Sequence, residues 1–476
     1  MDKSSTREDI RNLIEAKLMR FYGREPEKAT EKQIYRATCL VVRDIMSEIW
    51  MKSQEKADEM CAKKAYYLSM EFLPGTSLRN NVHNLGLDEA VRGALADIGR
   101  NMDDFIAMEP DAGLGNGGLG RLASCYLDAA TANEMSVSGM SICYEYGIFK
   151  QKIEENRQVE APDEWLKLGD SWLITKEDEK EEVHFGGRLT EIWDEHGKMK
   201  LIHSDYNTVV AIPRDMLITG YDSRVVNVLR LWEATSPISI DMKLFSQGKY
   251  LQSMEEKHRA EVISKILYPE DAHVEGNTLR IQQQYFFISA SMQGLCRKHF
   301  AKYGTLDNLA DKAAVHINDT HPTMAIPELM RILIDEYGYE WDPAWNIVKN
   351  TVSYTNHTIM PEALEKWPED LFKSLLPRLH SIVHEINRRF MIELLAAYPY
   401  DEQKRREMSI INDGKLYMAN LCVAASHKVN GVSSLHSGII KDQLFSGFSQ
   451  LTPEKFTNVT NGIAYRRWLC QANPKL

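Results

Sequence analysis

At 476 residues the chain can bury a large core, and 43% hydrophobic with 26% charged residues is the composition of an ordinary soluble globular protein. A balance of 57 Lys and Arg against 68 Asp and Glu, −11 overall, disfavours nucleic acid and polybasic membrane contacts, so an anionic ligand needs a local site. No apolar run approaches the roughly 20 residues of a membrane span, and "MDKSSTREDIRNLI" lacks the basic-then-apolar order of a secretory signal, which predicts a cytoplasmic protein.

From Glu8 to Phe21 the residues Ile10, Leu13, Ile14 and Leu18 recur at helical spacing and Gly23 follows as a stop; a longer amphipathic helix is expected over about Glu31 to Ala57, with Ile34, Val41, Ile45 and Ile49 on one side. "KAYYLSMEF" (Lys64 to Phe72) and "SVSGMSICYEYG" (Ser136 to Gly147) are of strand type, and Thr190 to Val228 alternates as a string of strands. "AAVHI" and "NTVSYT" predict buried strands, each followed by a polar loop and a helical pattern, the order of a parallel sheet with its ligands at those loops. Glu362 to Ala397 reads as mostly helical, broken at Pro368 and Pro377. Nothing divides these elements into modules, and one large α/β domain is expected. Cys39, Cys61, Cys125, Cys143, Cys296, Cys422 and Cys470 are scattered without a CxxC and read as reduced core thiols.

"EPDAGLGNGGLGRL" (Glu109 to Leu122) carries five glycines in eight residues. GxGxxG occurs there twice, but the preceding segment is acidic and broken by proline, against a dinucleotide turn, and Gly120 is followed by Arg-Leu, which excludes a P-loop. Because "RLASCYLDAATAN" continues as a helix, Gly117, Gly118 and Gly120 are expected to present bare amides at a helix N-terminus, where an anion is favoured. The alternative is a tight turn that packs a strand against a helix.

"HINDTHPTMAIPELM" places Asp319 and His321 beyond a strand ending at Ile317, where they either face one cleft or cap a turn. His316 and His321 lack the spacing of paired zinc ligands on one helical turn. "SYTNHTIMPEALEKWPEDLF" repeats the arrangement with Asn356, His357 and Thr358 before Pro361, expected to open a helix. "NVTNGIAYRRWL" offers Asn461, whose amide suits sugar hydroxyls, and Arg466 with Arg467, read as surface ion-pairing residues.

Together with "YYLSMEF", "APDEWLKLGDSWL" and "VVNVLRLWEA", these stretches closely resemble the glycogen, starch and maltodextrin phosphorylases over nearly the whole chain. The resemblance implies an α/β fold of glycosyltransferase-B type with a large central mixed or parallel sheet flanked by helices. It also implies retaining, pyridoxal phosphate-dependent cleavage of α-1,4-glucan by orthophosphate to α-glucose 1-phosphate, in a homodimer. Gly118 and Leu119 then match the loop that approaches the substrate phosphate and the reacting glucose, with Asn116 beside them. His357 matches the histidine beside the glucose, Asn461 the asparagine at the 6-hydroxyl, and Asp319 and His321 residues on the glucan side of the cleft. In these terms residues 1–461 form the N-terminal domain and 462–476 begin a C-terminal domain bearing the cofactor lysine, whose absence predicts an inactive portion.

Some positions depart from the family pattern. Ala272 replaces a sugar-contacting asparagine of the animal members, and Ala464-Tyr465 stands where Thr-Pro is commoner. The N-terminus and "QEKADEMCAKK" lack the animal features for phosphorylation and AMP control, which are not expected. The competing reading is a non-catalytic glucan-binding module; a dehydrogenase is a distant third.

Overall fold

The computed structural model describes residues 6–476 apart from 194, 196–198, 464, 466–468, 470–472, 474 and 476. The first two helices, α1 (Arg7–Tyr22) and α2 (Glu31–Glu59), each begin with a capping box, Thr6 with Asp9 and Thr30 with Gln33. Gly23 ends α1 in the left-handed region at φ 58°, as its position in the sequence suggested. Ile10, Ile14 and Leu18 of α1 and Ile34, Val41 and Val42 of α2 are buried in one cluster.

The centre is a ten-stranded sheet. Its strands are β1 (Lys64–Leu68), β2 (Val137–Ile142), β3 (Leu173–Thr175), β4 (Glu181–Phe185), β5 (Asn207–Thr219), β6 (Val226–Thr235), β7 (Ala313–Asn318), β8 (Val352–Thr355), β9 (Val429–Gly431) and β10 (Phe456–Asn458). The order is β10-β9-β8-β7-β1-β2-β6-β5-β3, with β4 also on β5. From β10 to β6 every pair is parallel, and β5 joins β6, β3 and β4 antiparallel. The sheet is therefore mixed, as expected. A helix α3 (Gly118–Ala132) connects the glycine loop to β2, and α4 (Val274–Tyr303) precedes β7. The largest core cluster runs from β1 and β2 through α4 to β7 and β8.

Three expected elements break where the chain must turn. "KAYYLSMEF" is not one strand: β1 stops at Leu68, and Phe72–Gly75 leaves to pair with Ala112–Leu114. "SVSGMSICYEYG" likewise divides into β2 and a hairpin strand starting at Gly147. Pro361 opens only a 3-10 turn to Ala363; Lys366–Pro368 then pairs with Lys415–Tyr417, and helix starts at Glu369. Pro368 is held extended in that pairing, opposite Lys415, so helix begins only after it. The six described cysteines are free thiols; Cys61 is exposed and Cys125 half-buried, so the expectation of core thiols fails at those two. Cys470, Arg466 and Arg467 lie outside the described residues, as does most of the expected 462–476 segment.

Candidate active site

From β1 the chain proceeds to β2 on one side, whereas β7 leads to β8, β9 and β10 on the other. The strand order thus switches direction between β1 and β7, and such a switch point opens a crevice beyond the carboxyl ends of the strands. The turns that reach it are Ser69–Glu71, Asn318–His321, Asn356–Thr358 and the residues after β9 and β10.

A buried seam ties three of these turns together. Asn318, fully buried, donates from Nδ2 to Ser69 Oγ at 3.0 Å, and its Oδ1 lies 2.7 Å from His357 Nε2. Asp319 sits in the left-handed region at φ 62°, which Asp tolerates better than most residues, and its N–H donates to Thr355 O at 3.0 Å. Its Oδ1 accepts from Thr320 N at 2.6 Å, so Asp319 does cap its own turn while also lying beside His357. Burial pushes the His357 imidazole below its ordinary value; Asp319 opposes that, His436 and His321 reinforce it, and Glu71 opposes it. Burial therefore favours the neutral ring. His321 is not a satisfied histidine among the described residues, where its buried Nδ1 has no hydrogen-bond partner; its ring lies 5.9 Å from that of Tyr268.

The glycines of this loop meet two kinds of surroundings. A Cβ on Gly115 would lie 3.2 Å from Glu71 Oε2 and 3.0 Å from Leu73 Cγ, and one on Gly120 would lie 3.0 Å from Glu71 Oε2 and 3.3 Å from Gly115 Cα. Those two glycines let the loop close over the buried Glu71, which accepts Asn116 N at 2.8 Å and the Tyr268 hydroxyl. At Gly120, packing against Glu71 by itself requires a glycine. Gly117 and Gly118 face open space, Gly117 is the N-cap, and α3 begins at Gly118. The first amides of a helix have no intrahelical acceptor, so Gly118 and Leu119 lie where an anion is favoured. Asn116, Gly117 and Gly118 are exposed.

Asn461 is also exposed. Its N–H donates to Val432 O at 3.1 Å, and its Oδ1 accepts from the Tyr126 hydroxyl on α3 at 3.0 Å. Val432 N donates in turn to His436 Nδ1 at 3.1 Å, and His436 Nε2 lies 3.3 Å from Thr358 O, next to His357. Asn116, His321, His357 and Asn461 are thereby connected through Glu71, Ser69, Asn318, Tyr268 and the Val432–His436 turn, with Gly118 and Leu119 following Asn116 in the chain and Asp319 following Asn318. A cavity of about 800 Å³ lined by Tyr206, Ile238, Gln252 and Arg259 lies elsewhere, so volume alone does not mark the site.

A family described as carbohydrate phosphorylase matches residues 95–476, a span that holds all seven of these residues. The chain belongs to that family. It is 46% identical to a glycogen phosphorylase of Chlamydia pneumoniae over 454 residues, 95% of this chain and 55% of that protein. It is 41% identical to one of Bacillus subtilis (strain 168), covering 99% of this chain and 58% of that protein, and 43% identical to the muscle form of Ovis aries, covering 94% and 54%. The chain thus spans a little over half the length of these relatives.

Ser69, Glu71, Asn318, Tyr268 and His436 were not singled out from the sequence. Ser69 and Glu71 follow a buried parallel strand, the position at which Asp319 and His357 were recognised, so the same signal was present. His436 carries no such mark; it enters the site from the first turns of the helix Ser434–Ile439. His316, the other histidine of the zinc question, points into the sheet, 3.0 Å from Ser353 Oγ and 2.6 Å from Thr355 Oγ1. Among the described residues no group of three His, Cys, Asp or Glu is placed to hold a metal, and no helix is long and apolar enough to cross a membrane.

Proposed function

We propose that the crevice serves an α-1,4-glucan phosphorylase, which transfers the terminal glucose of glycogen, starch or maltodextrin to orthophosphate. The C1–O4 glycosidic bond breaks, a C1–O bond to phosphate forms with the α configuration retained, and the departing O4 takes up a proton. The observation that carries this reading is the family match over 95–476, which includes every candidate site residue. The amides of Gly118 and Leu119 hold the phosphate at the start of α3. His357 borders the glucose at C1, where positive charge develops; Asn461 binds its 6-hydroxyl; Asp319 and His321 line the glucan side, and Asn116 shapes the loop edge.

Pyridoxal phosphate is the cofactor this reading implies, supplying an acid–base phosphate beside the substrate. The named site residues include no lysine. The two lysines whose burial pushes them down to about 8, Lys64 and Lys455, lie at the amino ends of β1 and β10, away from the crevice. The described crevice therefore does not fit the aldehyde end of the cofactor. In this reading residues 1–461 form one glycosyltransferase-B half and supply one wall of the site. Ile359, Met360, Leu435, Val459 and Ile463 are exposed near that wall, as a surface closed by another domain would be. The exposed Ile238, Met242, Phe245, Tyr250 and Leu251 support a homodimer contact, and the free thiols support a cytoplasmic setting.

The test is to assay glucose 1-phosphate from maltoheptaose and orthophosphate with the enzyme expressed from its complete reading frame. Phosphate-dependent release is expected. Glucan binding without any release would favour the non-catalytic module.

A further inference from the structure

We propose that Asn318 is a positioning residue of this site, its side-chain amide fixing His357 as the Nε2–H tautomer and leaving Nδ1 to accept a hydrogen bond from a sugar hydroxyl. The inference rests on the reading of the crevice as a glucan site, and it assigns a role to a residue behind His357.

An amide presents different groups at its two ends: the oxygen only accepts and the nitrogen only donates. Asn318 Nδ2 is committed to Ser69 Oγ at 3.0 Å, and Ser69 Oγ also accepts from Glu71 N at 3.3 Å. In this orientation Oδ1 is the end turned toward His357 Nε2, at 2.7 Å. That nitrogen must carry the proton. A neutral imidazole has only one N–H, so Nδ1 retains its lone pair.

Asn318 ends β7 opposite Thr355 of β8, and the residue before it pairs with both Leu68 and Tyr354, so the amide moves with the central strands. His357 lies in the loop after β8, and a ring there needs a partner on a rigid element to hold one orientation. The charged and titratable groups facing the ring come from several turns: Asp319 beside Asn318, Glu71 after β1, His321 after β7 and His436 after β9. The carboxylates favour imidazolium, while the histidines and burial disfavour it, with burial largest. The amide thus orients a neutral ring. A protonated ring would donate from both nitrogens and accept from neither.

The experiment uses the complete enzyme labelled with ¹⁵N-histidine, the His357 signals being assigned by their loss in His357→Gln. Long-range proton–nitrogen correlation should show a pyrrole-type Nε2 and a pyridine-type Nδ1. Asn318→Asp keeps an acceptor but adds charge, and should raise the His357 titration midpoint by about one to three pH units, with the rising limb of kcat/KM moving by the same amount. Asn318→Leu should give mixed tautomers. A purely structural role would lower Tm in both variants without altering tautomer or midpoint, and that result overturns the proposal. So does a wild-type Nδ1–H tautomer, which would mean the amide is turned over. The expected spectra in an enzyme that releases no sugar phosphate would uphold the positioning and remove the glucan reading beneath it.

Discussion

Gly118 and Gly120 stand two residues apart at the start of one helix and meet opposite surroundings. A methyl on Gly118 meets nothing within 4 Å, so Gly118→Ala should fold as well as the parent or gain about 0.5 kcal/mol, since alanine restricts the unfolded chain. If phosphate approaches the amides there, the same methyl should lower phosphorolysis by about 100-fold, the cost of an ångström-scale misplacement. Gly120→Ala should instead lose about 1–3 kcal/mol, because Glu71 and the Gly115 backbone already stand at 3.0 and 3.3 Å. Urea unfolding and phosphorolysis rates on both variants separate the two effects, and a destabilised Gly118→Ala would contradict them. The structure also changes what His357→Ala should do. From the sequence, a cleft histidine is expected to leave Tm near the parent value when removed. Its hydrogen bond to the fully buried Asn318 means that truncation orphans a carbonyl oxygen, so kcat/KM should fall together with about 1–3 kcal/mol of stability. A thermal melt beside the kinetics checks this.

Among the elements, the central strands carry a second polar ladder beside the site. Thr355 donates from Oγ1 to Asn430 Oδ1 at 2.9 Å, so it receives the Nε2–H of His316, whose Nδ1 accepts from Ser353; the ring stacks on Tyr67 at 5.2 Å. Burial pushes His316 down to about 4 from an ordinary 6.5, with His357 and His427 adding to the shift. A depressed pKa means the unfolded chain binds the proton first, so the stability contributed by neutral His316 is complete above about 6.5 and is lost as pH falls toward about 4. Tm should therefore drop across that window, and less steeply in His316→Gln; an identical slope in the variant would exclude the ladder as the cause. The β-loop-α order behind this geometry was legible because Ala313–Asn318 and Val352–Thr355 are short runs of strand type before polar turns. The breaks at Ser69 and Pro361 were not, because they depend on where the chain leaves the sheet rather than on local pattern. Glu71 was hidden for a related reason: its carboxylate is satisfied by Asn116 and Tyr268, 45 and 197 residues away. The packing need for Gly115 and Gly120 becomes visible only once that carboxylate is placed.

At the scale of the molecule, a net charge of −11 surrounds a crevice proposed to take one neutral and one anionic substrate. Their affinities should respond differently to salt. Glucan binding should be nearly constant between 50 and 200 mM, whereas orthophosphate binding, governed by local charge against a repelling background, should vary with ionic strength over the same range, roughly where the Debye length falls from about 14 to 7 Å. Equilibrium titration of each ligand checks the difference, and a salt-sensitive glucan affinity would argue against a neutral polyol site. The switch point between β1 and β7 is proposed as the place of reaction. A crystal structure of the complete enzyme with α-glucose 1-phosphate tests it most directly: phosphate oxygens within hydrogen-bonding distance of the Gly118 and Leu119 amides and a glucose hydroxyl on His357 Nδ1 are predicted, whereas full occupancy in the 800 Å³ cavity beside Tyr206 with an empty crevice would contradict it.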